Sequence, residues 1–153
     1  MKPLLYISGS TYYNKEIRKR AVCETPGGRT RNLKRQRKNR RETGAFYERM
    51  AGCFLEQCGY RILEYNYRCP FSEIDIVAQQ NGVLVFCEVK YRAGKGAGSA
   101  LEAVNPKKQR RISKAALFYI SQRRPSLTEY RFDVIGIEDG KVRVIPDAFP
   151  FCG

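Results

Sequence analysis

The sequence contains no histidine. That absence excludes Ser-His-Asp and Cys-His catalysis and any histidine-ligated zinc. Chemistry in this chain must run on carboxylates, lysine, tyrosine or a bound metal. There are six cysteines, Cys23, Cys53, Cys58, Cys69, Cys87 and Cys152, but no C-x-x-C spacing, which argues against a structural zinc. The apolar stretch from Pro3 to Ile7 is too short for a secretory leader, and no small-residue cleavage pattern follows it. The cysteines therefore read as reduced thiols of a cytoplasmic protein. No apolar run approaches the roughly 18 residues of a membrane span. Acidic residues are also scarce, with 15 Asp/Glu against 29 Lys/Arg, a net charge of +14.

What is present is unevenly placed. Residues 1–43 hold 13 Lys/Arg against 3 Asp/Glu, whereas residues 44–153 hold 16 against 12. A balance this basic points to polyanions, nucleic acid first and anionic membrane second. The block from Arg29 to Arg41 repels itself, so residues 1–42 are expected to form a disordered basic arm. Such an arm could sit on phosphates. It reads equally as a solvated tail, or as an upstream extension from a misplaced start codon. The remaining 110 or so residues suffice for one domain with a real core.

The stretch from Glu73 to Lys90 carries the chemistry. Two runs rich in valine and isoleucine flank Asn81-Gly82, a dipeptide that supports positive φ at both centres of a type I′ hairpin turn. With that loop, paired residue numbers sum to 163. Asp75 is then set opposite Glu88, and Glu73 opposite Lys90, all four on one face. Like charges opposed on a sheet destabilise it. A divalent cation with hard oxygen ligands resolves the conflict, so Asp75 and Glu88 are candidate ligands for Mg²⁺ or Mn²⁺. With Lys90 beside them, the set suits phosphodiester hydrolysis. The plain alternative is a solvated sheet face with a Glu73–Lys90 ion pair. Cys87 points away from the Glu88 face, as a small buried hydrophobe.

Around this hairpin, Thr43 to Gly59 reads as a helix capped by Thr43, with Phe46, Met50, Ala51, Phe54 and Leu55 as its apolar stripe. Glu48 lies about 100° from the centre of that stripe. By itself it is an exposed charge near a helix N-terminus; with the hairpin it is a third carboxylate. Tyr60 to Tyr67 reads as a strand, and its tyrosines as sheet packing. Ala93 to Ser99 is a glycine-rich connection unlike any phosphate-binding loop. A short helical turn is expected at Leu101 to Val104.

Asn105-Pro106 starts a second helix running to about Arg123, with Ile112, Ala115, Ala116, Tyr119 and Ile120 inward. Lys107, Lys108, Arg110, Arg111 and Lys114 cluster in its first half, where cations oppose the helix dipole. With Gln109 among them, they are candidate nucleic-acid contacts. Tyr130 to Ile137 and Lys141 to Ile145 read as strands around Asp139-Gly140, with Asp133 structural. Residues 147–153 read as a tail.

The order α-β-β-β-α-β-β predicts an α/β sandwich with a mixed sheet, the arrangement of restriction-endonuclease-like folds. One set of residues runs through Thr43-Gly44 with Glu48 and Ala51, Leu55, Gly59-Tyr60, Ile62-Leu63, Asn66-Tyr67-Arg68 and Glu73-Ile74-Asp75. It continues through Phe86-Cys87-Glu88-Val89-Lys90 with Arg92, Ala103-Val104, Lys107, Arg111 and Arg131-Phe132-Asp133. On these residues the chain resembles the YraN family, bacterial proteins of unestablished role placed near archaeal Holliday-junction resolvases. The resemblance covers about residues 43–146, the span expected to fold as one endonuclease-like domain. Ser72 stands where that family usually has glycine. The resemblance implies a PD-(D/E)xK-type site, with Asp75 and Glu88 on metal, Lys90 assisting the water and Glu48 as the helix carboxylate. Expected partners are nucleic acid, DNA in particular, including branched or flapped forms. Resolvase-like proteins are often homodimers, although no interface is readable here. The same residues are compatible with a catalytically silent binding module, or with a partner in a DNA-processing complex.

Overall fold

The computed structural model describes residues 32–92, 104–138 and 140–153, with side chains from residue 41 onward. The arm up to residue 31, the glycine-rich connection, most of the turn at 101–104, and Asp139 lie outside the described residues. The elements are α1 (Asn32–Gln57), β1 (Arg61–Arg68), β2 (Glu73–Gln80), β3 (Val83–Arg92), α2 (Pro106–Arg123), β4 (Tyr130–Glu138) and β5 (Lys141–Phe149). The chain is an α/β protein with the expected order of elements.

Helix α1 starts at Asn32, inside the basic block, and Thr43 is an interior residue rather than its cap. Residues 32–43 are mostly lysine, arginine and glutamine, good helix formers with no glycine or proline among them. The apolar stripe used to place the start marks where the helix packs, not where it begins. Ala51 and Leu55 are buried, and Met50 and Phe54 pack partly against the sheet. Phe46, expected in the stripe, is exposed. Gly59, at φ 82°, takes the left-handed position that ends the helix. Gly52 allows close approach to β1, since a Cβ there would lie 2.0 Å from the Tyr65 hydroxyl.

The five strands lie in sequence order. All neighbours are antiparallel except β3 and β4, which run parallel and are joined through α2. Helix α2 begins and ends where its local signals place it. Asn105 accepts from the Lys108 amide at 2.9 Å, Pro106 follows, and Arg124 closes the helix in a left-handed conformation at φ 42°.

Each helix covers one sheet face. Ala51, Leu55 and Tyr60 pack with Ile76, Ala78, Val85, Cys87, Ile135 and Val144. Ile112, Ala115, Ala116 and Tyr119 pack with Leu84, Phe86, Phe132, Val134 and Phe149. Ile120 packs only partly. Strand β5 extends past the expected limit at Ile145: Phe149 is buried and stacks on Phe132, with ring centroids 4.9 Å apart. The Cys152 amide donates to the Ser113 hydroxyl at 3.0 Å. Pro146 does not end the strand, because β5 is an edge strand and proline is tolerated there.

Candidate active site

The hairpin turn has the expected geometry, with Asn81 at φ 50° and Gly82 at φ 80°. Pairing starts at Gln80–Val83 and keeps the expected sum through Ile76–Cys87. Beyond that pair the sheet forks. Strand β2 stays with β1 down to Arg68–Glu73, while β3 stays with β4 out to Arg92–Glu138. The ladder thus ends one pair before Asp75 and Glu88. At the fork, Val89 keeps Ile135 of β4 but has no partner in β2, and on that side its amide donates to Asp75 Oδ2 at 2.7 Å. Past the fork the two acids remain close enough for the Glu88 charge to act on Asp75.

Glu88 is 3% exposed. Its Oε1 accepts from Lys90 Nζ at 2.5 Å and lies 3.1 Å from Lys108 Nζ. Its Oε2 is buried and has no hydrogen-bond partner. Such an atom is costly, since a buried charged oxygen without a partner loses its hydration uncompensated. Asp75 is affected by the same crowding. Burial, and then the Glu88 charge, push its carboxyl up to about 7, and the Glu48 charge adds to the push. The Val89 amide and the Lys108 cation act in the opposite direction.

Glu48 approaches from α1 and accepts from Asn66 Nδ2 at 2.7 Å. The Glu73–Lys90 pair of the plain reading is not formed. Glu73 pairs instead with Arg68, at 3.2 Å, and Lys90 turns to Glu88. Splaying of the strands separates the first two and leaves Lys90 nearest to an acid on its own strand.

The basic cluster of α2 divides. Lys107, Arg110 and Lys114 are exposed. The exposed Arg111 donates to the Phe71 carbonyl at 3.2 Å. Lys108 reaches into the site. Gln109 is tied into the fold: Nε2 donates to the Val104 carbonyl at 2.8 Å, and Oε1 accepts from the Cys152 thiol at 3.7 Å. The pairing of Lys108 with Glu88 is not readable from sequence. Its signal is the excess of cations at a helix N-terminus, which suggests an anion without identifying it as Glu88. Lys108 is among the candidate contacts, though not as a partner of Glu88; Asn66 is the site residue that sequence reasoning gives no role.

A separate network surrounds Asp133, which is fully buried. It accepts from Arg131 Nε at 2.9 Å, from the Tyr60 hydroxyl at 2.9 Å and from the Asp147 amide at 2.9 Å. Arg131 also donates to Gln80, whose amide reaches the Cys58 carbonyl. The network is well satisfied and ties the connection after α1 to β2, β4 and β5, which is the structural role expected of Asp133.

Residues 47–137 match the model of Uncharacterised protein family UPF0102, a span that holds Glu48, Asp75, Glu88, Lys90 and Lys108. The chain belongs to that family. A UPF0102 protein of Syntrophus aciditrophicus is 47% identical over 111 residues, 70% of this chain and 87% of the relative. One of Pelobacter propionicus is 50% identical over 108 residues, 68% of this chain and 77% of the relative. One of Vibrio parahaemolyticus is 44% identical over 102 residues, 66% and 84% of the respective chains.

In this UPF0102 member the site offers two crowded acids, one lacking a partner for an oxygen, with two amines and a third acid at its margin. Among the described residues, no three His, Cys, Asp or Glu side chains are grouped so that they could hold a metal ion. A site for magnesium does not need three, since that ion commonly takes one or two carboxylates and completes its shell with water and phosphate. The oxygen donors, and the partnerless Glu88 Oε2 above all, fit such an ion. No helix among the described residues is long and apolar enough to cross a membrane.

Proposed function

We propose that this protein is a Mg²⁺- or Mn²⁺-dependent endonuclease that hydrolyses phosphodiesters in DNA, branched forms included. The observation that carries the proposal is the crowding of the Asp75 and Glu88 charges at the fork, with one Glu88 oxygen buried and unpartnered. Asp75 and Glu88 would hold the ion. Bound there, it would polarise the phosphodiester and lower the pKa of a water. Lys90 and Lys108 hold Glu88 in place, and either amine can turn to a phosphate oxygen. Glu48 adds negative charge on the α1 side, where it favours a cation. Lys107, Arg110 and Lys114 face solvent and suit contacts with the DNA backbone, which set affinity and register but carry no base sequence.

A second reading is favoured by a different observation. Two lysines already neutralise Glu88, and no trio of ligands is gathered among the described residues. That pattern suits a DNA-binding module with an idle site. One assay separates the two. Purified protein is incubated with Mg²⁺ or Mn²⁺ and duplex, flap or four-way DNA, alongside Asp75→Asn and Glu88→Gln. The endonuclease reading expects metal-dependent cleavage by wild type and at least a 100-fold loss in either variant, with DNA binding retained. Equal activity in variants and wild type refutes this site. Binding without cleavage by wild type on every substrate supports the module.

A further inference from the structure

Asn66 occupies a backbone conformation that a strand interior ordinarily avoids. It lies in β1 at φ 55°, while Tyr65 and Tyr67 on either side keep regular pairing with Ile76 and Ile74. Left-handed backbone is costly for residues with a Cβ, and a strand residue that adopts it is held there by something local. Pairing on both sides continues with an unchanged sum, so the conformation does not serve to shift register. What it does is aim the side chain. Asn66 Nδ2 meets Glu48 Oε2 at 2.7 Å, across from α1. Glu48 lies back along its helix, so that a Cβ at Gly44 would be 3.7 Å from Glu48 Oε1. In that position its charge is felt by Asp75. Glycine would meet the backbone requirement alone. Asparagine tolerates the left-handed region and also brings a donor, and both are used.

We propose that Asn66 is a positioning residue for Glu48, its left-handed backbone turning the side-chain amide so that the helix carboxylate is held at the margin of the Asp75–Glu88 site. The role in cleavage rests on the endonuclease reading; the contact itself does not. Groups that orient a metal-ligating side chain typically change metal affinity or activity 10- to 100-fold when removed, and Glu48, which acts on the site through its charge, belongs at the low end of that range.

The test uses Asn66→Gly, which keeps the backbone and removes the donor, Asn66→Asp, which sets a carboxylate against Glu48, and Glu48→Gln. Thermal melts establish that each folds. Mn²⁺ affinity is measured by electron paramagnetic resonance, and cleavage by the assay above. Asn66→Gly is expected to weaken Mn²⁺ binding about 10-fold, and Asn66→Asp more. Adding Asn66→Gly to Glu48→Gln should cost less than 2-fold further. Wild-type Mn²⁺ affinity in Asn66→Gly, or full additivity with Glu48→Gln, overturns the proposal. An arm independent of metal follows the Asn66 side-chain amide by ¹⁵N nuclear magnetic resonance. Glu48→Ala should shift its signals and speed their exchange, and unchanged signals overturn the contact. If wild type neither binds Mn²⁺ nor cleaves while that amide responds, the endonuclease reading fails and the orienting contact stands.

Discussion

Asp75 carries opposed demands. Its carboxyl is displaced from 3.8 to about 7, by burial first and by the Glu88 charge second. Folding therefore favours the protonated form. Below about pH 4 both folded and unfolded chains hold the proton, and the residue costs nothing. Between about pH 4 and 7 the folded chain binds more proton than the unfolded chain, so stability falls as pH rises. Above about pH 7 the full penalty applies, with a ceiling of about 4 kcal/mol at roughly 1.4 kcal/mol per tenfold change. Asp75→Asn should then stabilise the metal-free protein at pH 8 by up to about 4 kcal/mol, with little change at pH 4. Urea unfolding in EDTA at the two pH values checks this. Under the proposed endonuclease reading, a variant that gains stability as it loses cleavage is the expected signature of an acid kept for chemistry. At this scale the sequence is partly legible. Hairpin arithmetic brings Asp75 and Glu88 to neighbouring positions, because a two-residue turn fixes register. It cannot indicate that the ladder stops at Ile76–Cys87, since that depends on β1 and β4 drawing the two strands apart. Nor can it pair Lys108 with Glu88, which lie 20 positions apart and meet only when α2 packs on the sheet.

Helix α2 is legible from end to end, because its limits are set by neighbours in sequence. Asn105 caps it, Pro106 starts it and the inward face repeats at helical spacing. Asn105→Ala should lower stability by about 1 kcal/mol, and Asn105→Asp should restore most of it, as read by thermal denaturation. Because Lys108 sits in the capped first turn, the alanine variant should also weaken DNA binding by more than the loss of an uncharged residue explains. Helix α1 is only half legible. Its packed half follows from Ala51 and Leu55, but its first residues have no apolar period to mark them. Strand β5 reads too short in the sequence for the converse reason. Pro146 looks like a terminator until the strand is known to lie at the sheet edge and Phe149 to stack on Phe132.

Over the whole molecule, most of the net charge lies ahead of the packed core, although α1 begins inside the basic block. All 13 Lys/Arg of residues 1–43 precede residue 42, and the packed part of α1 begins near Tyr47. Removing residues 1–41 should leave the melting temperature nearly unchanged and flatten the salt dependence of DNA binding, by about 0.9 in the log–log slope for each phosphate that the arm had neutralised. Fluorescence anisotropy across a salt series, with a parallel melt, checks both; loss of the folded signal would make the arm structural. The sequence by itself determined the order of elements, the turn at Asn81-Gly82, the limits of α2 and the exclusion of histidine chemistry. Each of these is set by residue type or by interactions a few positions apart. Only the tertiary structure decided where the sheet forks, which amines reach Glu88, that Asn66 holds Glu48, and that the last residues pack. These depend on strands and helices far apart in the chain competing for the same backbone amides and the same buried space.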